Sequence, residues 1–402
     1  MQRSASSSAT WRPGLALGLL SCLGPLSIDL YLPAFPHIAR DFGATPSEVQ
    51  RTLSVFLLAL AVAQIPIGSF SDRHGRKLTL YIGLSIFVVA SLSCAASRSI
   101  DMLIAQRFVQ GCSICAGTAV SRAMIRDLRS GAAAAQLMAF TFLIIGLSPV
   151  LAPLIGSYLL ILMPWRGLFA VLAMTGILGL LVVRFALVES LPAERRRPAG
   201  VAVWRVYGGL ARNRRFLLAA VVAGLATTIP YAYVTAAPFV FPSAFHLDSH
   251  GYSILLGIDS LCSIGMSQLS PVLMRRWGAR TLLVRMTLLG TMACVVLGAM
   301  IAADVVGLVT FQLFSMLAFA LVGLILTPAA ISALDAGTGG AGATAATLGT
   351  LTLAVTAAAS AVISWFPAFS VAPLLMVVTS SFVLALLLSV GVGMRPVRAF
   401  AQ

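Results

Sequence analysis

Apolar stretches about one bilayer long recur along the whole chain, separated by short polar runs. A helix of about 20 apolar residues crosses the hydrocarbon core. The pattern predicts twelve such helices, at 14–36, 50–70, 78–97, 101–121, 134–158, 166–187, 216–240, 251–272, 281–302, 305–328, 343–364 and 371–393. The last two come from one uncharged run, 336–394, which we divide at Trp365-Phe366-Pro367.

Composition sharpens this picture. Hydrophobic residues make up 59% and charged residues 10%, where soluble domains carry about 25% charge. Mean hydropathy is +0.99. The chain reads as a polytopic, all-α membrane protein. Its start is polar, and the run 13–36 is too long for the apolar part of a cleaved signal. The net charge of +15 suggests nucleic acid, but 26 of the 27 basic residues are arginines gathered in alternate loops. That is the positive-inside pattern, not a continuous basic face, so no nucleic-acid partner is expected. Six cysteines fall in apolar spans, and Cys112-x-x-Cys115 lacks a second ligand pair. They read as small apolar packing residues.

With twelve spans both ends share one side. That side holds Arg73, Arg76 and Lys77; Arg122, Arg126 and Arg129; Arg195, Arg196, Arg197, Arg212, Arg214 and Arg215; and Arg275, Arg276 and Arg280. The other holds only Arg40, Arg51, Arg98 and Arg166. Both termini are therefore expected in the cytoplasm. The longest polar interruption sits near the middle. It predicts a six-helix bundle over 1–190, a cytoplasmic linker over 191–215 and a second six-helix bundle over 216–402. The run 72–77 has a degenerate echo at 275–280, each after the second span of its half. Duplicated halves are a transporter architecture.

Gly68-x-x-x-Asp72-Arg73-x-Gly75-Arg76-Lys77 resembles the loop 2–3 motif of the major facilitator superfamily. Leu103-x-x-x-Arg107-Phe108-x-Gln110-Gly111 is similar to that family's helix 4 motif. Asp29 to Pro36, Ser121-Arg122-Ala123-x-x-Arg126-Asp127-Leu128, Trp165-Arg166-x-x-Phe169 and Glu189-Ser190-Leu191-Pro192 resemble the bicyclomycin/chloramphenicol-resistance (Bcr/CflA) branch of twelve-helix drug:proton antiporters. The helix 5 motif is represented by Gly146, Pro149, Pro153 and Gly156, without the family's Gly-Pro pair. Ser21 stands near the place where some relatives carry a second acid, and Asp259 where this branch suggests Asn. The resemblance implies the major facilitator fold. It also implies a cytoplasmic gate at Gly68, Asp72, Arg73, Gly75, Arg76 and Lys77, with Asp72 facing the positive end of helix 11 across the two halves.

Charge inside a membrane helix is costly and usually has a partner or faces a cavity. Asp29, Arg107 and Asp259 are the proton-coupling candidates. Burial disfavours a charged carboxyl and a nearby cation favours it, so an acid held between the two can take up and release a proton. Asp29 reads either as that acid or as an interfacial cap. Arg107 needs an acceptor, and Asp29, a carbonyl and the substrate are the choices; we expect it to act on Asp29. Asp259 reads as a second proton or substrate contact, or as a group bonded to Ser260 or Ser263. Tyr31, Phe35, Tyr231, Tyr233 and Phe239 are the expected lining of an apolar substrate cavity.

The expected function is multidrug efflux of small amphipathic compounds by a proton-driven, alternating-access, inner-membrane monomer. The alternative is a metabolite carrier of the same fold, for a nucleoside, sugar or amino-acid derivative. There is no P-loop, and His37, His74, His246 and His250 fall between the spans without metal-ligand spacing. No cofactor, metal site or enzymatic activity is expected.

Overall fold

The computed structural model describes residues 8–128, 131–192, 194, 196, 208–337, 341–363 and 371–391. The helices are α1 (Ser8–Asp29), the short α2 (Phe35–Phe42), α3 (Pro46–His74), α4 (Arg76–Ala95), α5 (Ile100–Leu128), α6 (Gly131–Leu162) and α7 (Trp165–Phe185). After the central polar segment come α8 (Arg214–Phe245), α9 (Ser249–Trp277), α10 (Ala279–Ala302), α11 (Leu308–Ala336), α12 (Ala341–Ile363) and α13 (Val371–Gly391). Among the described residues twelve of these reach 20 residues. The expected division at Trp365–Pro367 and most of the expected linker lie outside the described residues.

Ten helices are long and apolar enough to cross a membrane by length and composition alone. The two below that level are α5 and α9. Each is 29 residues long, but α5 carries Gln106, Arg107, Gln110 and Arg122, and α9 carries Asp259, Gln268 and several serines. Both are flanked by other helices, where polar groups find partners that lipid cannot offer. The least apolar spans are thus the ones that hold buried chemistry.

Local signals set the helix ends. Thr45 caps α3 through a capping box with Glu48, and Pro46 occupies the first helical position, a combination worth about 1 kcal/mol or more. Asn213 caps α8 and Asp248 caps α9. The internal repeat is visible in the backbone. α3 passes to α4 through Gly75 alone (φ 99°, ψ 160°), and α9 passes to α10 through Gly278 alone (φ 76°, ψ 154°). A side chain is strained at such angles. The histidines are not all in loops: His37 lies on α2, His74 ends α3 and His250 opens α9.

Two large apolar cores form. One joins residues of α1 and α3–α7 around Leu17, Phe56, Phe87 and Phe169. The other joins residues of α8–α11 and α13 around Tyr233, Phe241, Phe311 and Phe382. The two sets meet where α3 packs on α12 and α6 packs on α9. Gln50 donates to the Ser360 carbonyl (3.4 Å) and to the Thr235 hydroxyl (3.5 Å), and the Ser54 and Ser360 hydroxyls pair at 2.7 Å. Farther along, Gly349 lies against Gln64. α3 and α12 are therefore antiparallel, and the start of α12 runs toward the Asp72 end of α3. Phe35 and Phe239 add a ring contact between the sets at 6.0 Å.

Candidate functional site

Asp29 is the last residue of α1. The chain then breaks into a short 3-10 turn, Leu32–Ala34, before α2 begins. Pro33 and Pro36 force this break, because neither supplies a backbone N–H to continue a helix. Asp29 is 7% exposed. Its Oδ2 accepts a hydrogen bond from the Ser148 hydroxyl of α6 at 3.2 Å. α6 comes this close because Gly156 backs onto the Leu30 carbonyl, where a side chain would collide. Pro149 and Pro153 lie within the same helix. The helix 5 motif thus shapes the surface that meets the end of α1. Gly146 and Val150, on the same helix, meet Ile264 and Gly257 of α9 in the second set.

Arg107 does not pair with Asp29, contrary to the sequence expectation. It is wholly buried, and among the described residues no carboxylate forms an ion pair with it. Its Nη1 donates to the Ser27 carbonyl at 3.2 Å and to Gln110 Oε1 at 2.5 Å. Its guanidinium lies over Phe56 (4.1 Å) and Tyr31 (4.6 Å), with Phe169 at 5.9 Å. The reason is helix phase. Successive residues turn by about 100°, so the α1 face that reaches Arg107 at Ser27 is about 200° from the face at Asp29. Gln110 is itself held by bonding Ser91 of α4 at 2.7 Å. Gly111 packs against the Phe56 carbonyl.

The aromatic residues expected to line a cavity divide into two groups. Tyr31 and Phe35 are fully buried in the first core, with the Tyr31 hydroxyl bonded to Thr52 at 2.8 Å. Tyr233 belongs to the second core and stacks on Phe311 and Phe319. Tyr231 and Phe239, on other faces of α8, pack against the first core. Tyr31, Phe35 and Tyr233 are therefore packing residues in this arrangement, not an open lining. Two residues apart on a helix point to opposite sides, and the sequence reading treated Tyr231 and Tyr233 alike.

The loop 2–3 motif forms a compact cluster. Arg76 bonds Asp72 (2.6 Å), Asp127 of α5 (2.8 Å) and Ser71 (3.0 Å). Glu189, just past α7, accepts the backbone N–H groups of Arg76 (3.0 Å) and Lys77 (3.1 Å) at the start of α4. Burial pushes the Glu189 carboxyl up, but the N–H groups of Leu191, Arg76 and Lys77, helped by Arg196, hold it below the ordinary range. Lys77 Nζ reaches the Leu187 carbonyl at 2.7 Å. Arg73 is exposed and Gly68 half-buried. Sequence reading assigned no role to Asp127, Glu189, Ser148 or Gln50. The signal for Glu189 was its place in a short conserved-type motif after an apolar span; Gln50 and Ser148 offered none beyond being polar in apolar runs.

In the second set Asp259 of α9 is fully enclosed. Its Oδ1 accepts from Gln312 Nε2 at 2.8 Å and from the Ser315 hydroxyl at 3.1 Å, both on α11. Its partners are thus across the helix pair, not the expected Ser260 or Ser263 beside it.

A sequence profile of the Major Facilitator Superfamily matches residues 17–360. The chain is 37% identical over 254 residues to an uncharacterised MFS-type transporter, YdgK, of Bacillus subtilis, covering 62% of this chain and 63% of that protein. It is 31% identical over 272 residues to a bicyclomycin resistance protein homolog of Haemophilus influenzae (67% and 68% covered). It is 30% identical over 264 residues to the multidrug resistance protein MdtL of Klebsiella pneumoniae (66% and 67% covered). These alignments span about two thirds of the relatives' lengths. Among solved structures, the human organic anion transporter MFSD10 shares the fold at TM-score 0.70 and 20% identity over 95% of this chain and 99% of that chain. The xylose transporter XylE of Escherichia coli does so at 0.72 and 15%, over 98% of this chain and all of that one. With a matched region this extensive, a helical membrane architecture and repeated halves in hand, the chain belongs to the Major Facilitator Superfamily and is a multi-pass transporter, not an enzyme.

Proposed function

We propose that this protein exports small amphipathic compounds across the bacterial inner membrane in exchange for protons, as a monomer working by alternating access. The names of two relatives, a bicyclomycin resistance homolog and a multidrug resistance protein, support a drug cargo. The observation that carries proton exchange is Asp29. It is a carboxyl buried at a helix break and bonded to a neutral hydroxyl of α6, the helix that also touches the second half. Rocking of the halves shifts α6 against α9, and the surroundings of Asp29 change with it. Charging an enclosed carboxyl is unfavourable unless water or a cation reaches it. Asp29 therefore takes a proton when sealed and gives it up when water enters. Arg107, bound to the carbonyl of Ser27 rather than to the acid, acts as a fixed positioning group for the end of α1.

The arginine-rich loops define the cytoplasmic side, which also sets both termini there. The bonds from Gln50 and Ser54 to Ser360 then lie on the opposite, outer side, so this arrangement is closed outward. The Asp72–Arg76–Asp127 cluster is the cytoplasmic gate, with Asp72 near the end from which α12 starts. Closing that side would bring its carboxylate toward the positive terminus of α12. The driving force is the proton gradient, without a cofactor.

The test is a compound screen in everted vesicles containing a pH-sensitive dye. Amphipathic drugs should release protons from loaded vesicles containing wild-type protein and fail to do so with Asp29→Asn. Release by a sugar, nucleoside or amino-acid derivative, and by no drug, would replace the cargo with a metabolite. Equal release by wild type and Asp29→Asn would remove Asp29 from the mechanism.

A further inference from the structure

The second half contains a buried acid that this exchange scheme leaves unused. Asp259 Oδ1 has two donors, Gln312 and Ser315. Its Oδ2 has no hydrogen-bond partner, and neither has Gln312 Oε1. The Tyr233 hydroxyl of α8 approaches the same carboxyl without closing a bond of normal geometry. Three polar atoms thus converge, each without a partner, in a region with no solvent exposure at Asp259 and 3% at Tyr233. The ionisable neighbours are Tyr233 and Cys262. No arginine, lysine or histidine from α6, α8, α10 or α11 acts on the carboxyl.

Two neutral donors on one oxygen do not offset the loss of hydration of a whole charge. A proton on Oδ2 resolves both problems. It removes the charge, and it makes Oδ2 a donor toward the two oxygens that lack one, Tyr233 Oη and Gln312 Oε1. A void of about 10 Å³ lies against Tyr233 and Ser315, near the smallest space that holds one water. A water there would bridge the remaining gap.

The position of the site fixes how it behaves during transport. Gly257 and Ile264 form the α9 face that meets α6. Asp259, about 200° around the helix from Gly257, points into its own half. Every group around it comes from α8, α9 or α11, which pack together in one core. Rigid rocking leaves those surroundings unchanged.

We propose that the second half holds its own proton-binding site, built from Asp259, Gln312, Ser315 and Tyr233, which stays loaded throughout transport. Resting on the exchange role given above to Asp29, this makes Asp29 the sole exchanging acid. One proton then moves per turnover. Export of a neutral compound carries a net charge across the membrane, and export of a monocation carries none.

The test is infrared spectroscopy of the full protein in lipid, titrated from acid to alkaline pH. A carboxylic-acid carbonyl band should persist over the whole range, stay in Asp29→Asn and vanish in Asp259→Asn. Tyr233→Phe, which keeps the acid and removes an acceptor, should shift that band to higher frequency; it serves if Asp259→Asn fails to fold. A band that titrates in step with transport, or its absence at neutral pH, would overturn the proposal. So would a proton-to-substrate ratio that falls in Asp259→Asn. Retained proton coupling in Asp29→Asn would defeat the exchange role of Asp29 instead, leaving the band result intact.

Discussion

Replacing Arg107 distinguishes a caged cation from a partner of Asp29. A charge at this depth costs ~2.5–3.5 kcal/mol on insertion scales. Two hydrogen bonds from a charged donor return ~1.5–3 kcal/mol each, and a desolvated ring contact adds about 2 kcal/mol. In Arg107→Lys the whole charge stays. The compact ammonium reaches either the Ser27 carbonyl or Gln110, not both, and loses the planar face that lies on Phe56 and Tyr31. The net loss is about 3 kcal/mol or slightly more. Arg107→Met gives up both bonds and the ring contact but also removes the charge, and its stem still packs. The loss is about 2–3 kcal/mol, so Lys is no milder than Met. An ion pair with Asp29 predicts the reverse order, because Lys would keep the pair. The assay is equilibrium unfolding in mixed micelles, followed by thiol reactivity of the buried cysteines Cys94, Cys115 and Cys294. A wild-type midpoint for Arg107→Lys, or a much larger loss for Met than for Lys, would refute the caged arrangement.

Three further outcomes follow from contacts elsewhere. Gly111→Ala puts a methyl 2.5 Å from the Phe56 carbonyl and 2.9 Å from Ala59 Cβ; it should cost ~1–3 kcal/mol in the same unfolding assay, while Gly265→Ala, which meets open space, should be harmless. The lowered Glu189 carboxyl adds stability above the unfolded carboxyl range and loses it as pH falls through its own lower value. The midpoint gap between wild type and Glu189→Gln should be steady at neutral pH and close below about pH 4; a gap unchanged in acid would mean that the carboxylate does not hold the start of α4. Ser54→Cys with Ser360→Cys, whose hydroxyls are 2.7 Å apart, should form a disulfide on oxidation and stop transport until reduced; undiminished transport by the crosslinked protein would rule out opening on that side.

Much of the fold was legible because the bilayer imposes one length scale. Spans, loop charges and the Gly75/Gly278 echo all follow from that and from backbone sterics. Two features hid the site. Span detection rewards uniform apolarity, yet α5 and α9 depart from it because they carry Arg107, Gln110 and Asp259. Pairing also depends on rotation about each helix, which an apolar run does not reveal. Ser27 and Asp29 are neighbours in sequence but face different helices, so Arg107 and Asp29 looked like partners. Ser148 and Gln50 were invisible for a related reason. A single small polar residue in an apolar run gains meaning only when the residue across the interface is known, here Asp29 on α1 and Ser360 on α12.

The most direct measurement is substrate movement by purified protein in liposomes under an imposed pH gradient, in the absence of any other energy source. Wild-type protein should drive an amphipathic drug against its concentration gradient while protons move the opposite way, and Asp29→Asn should carry the drug only downhill. No uphill movement by wild type, or uphill movement that survives in Asp29→Asn, would contradict proton exchange at the broken end of α1.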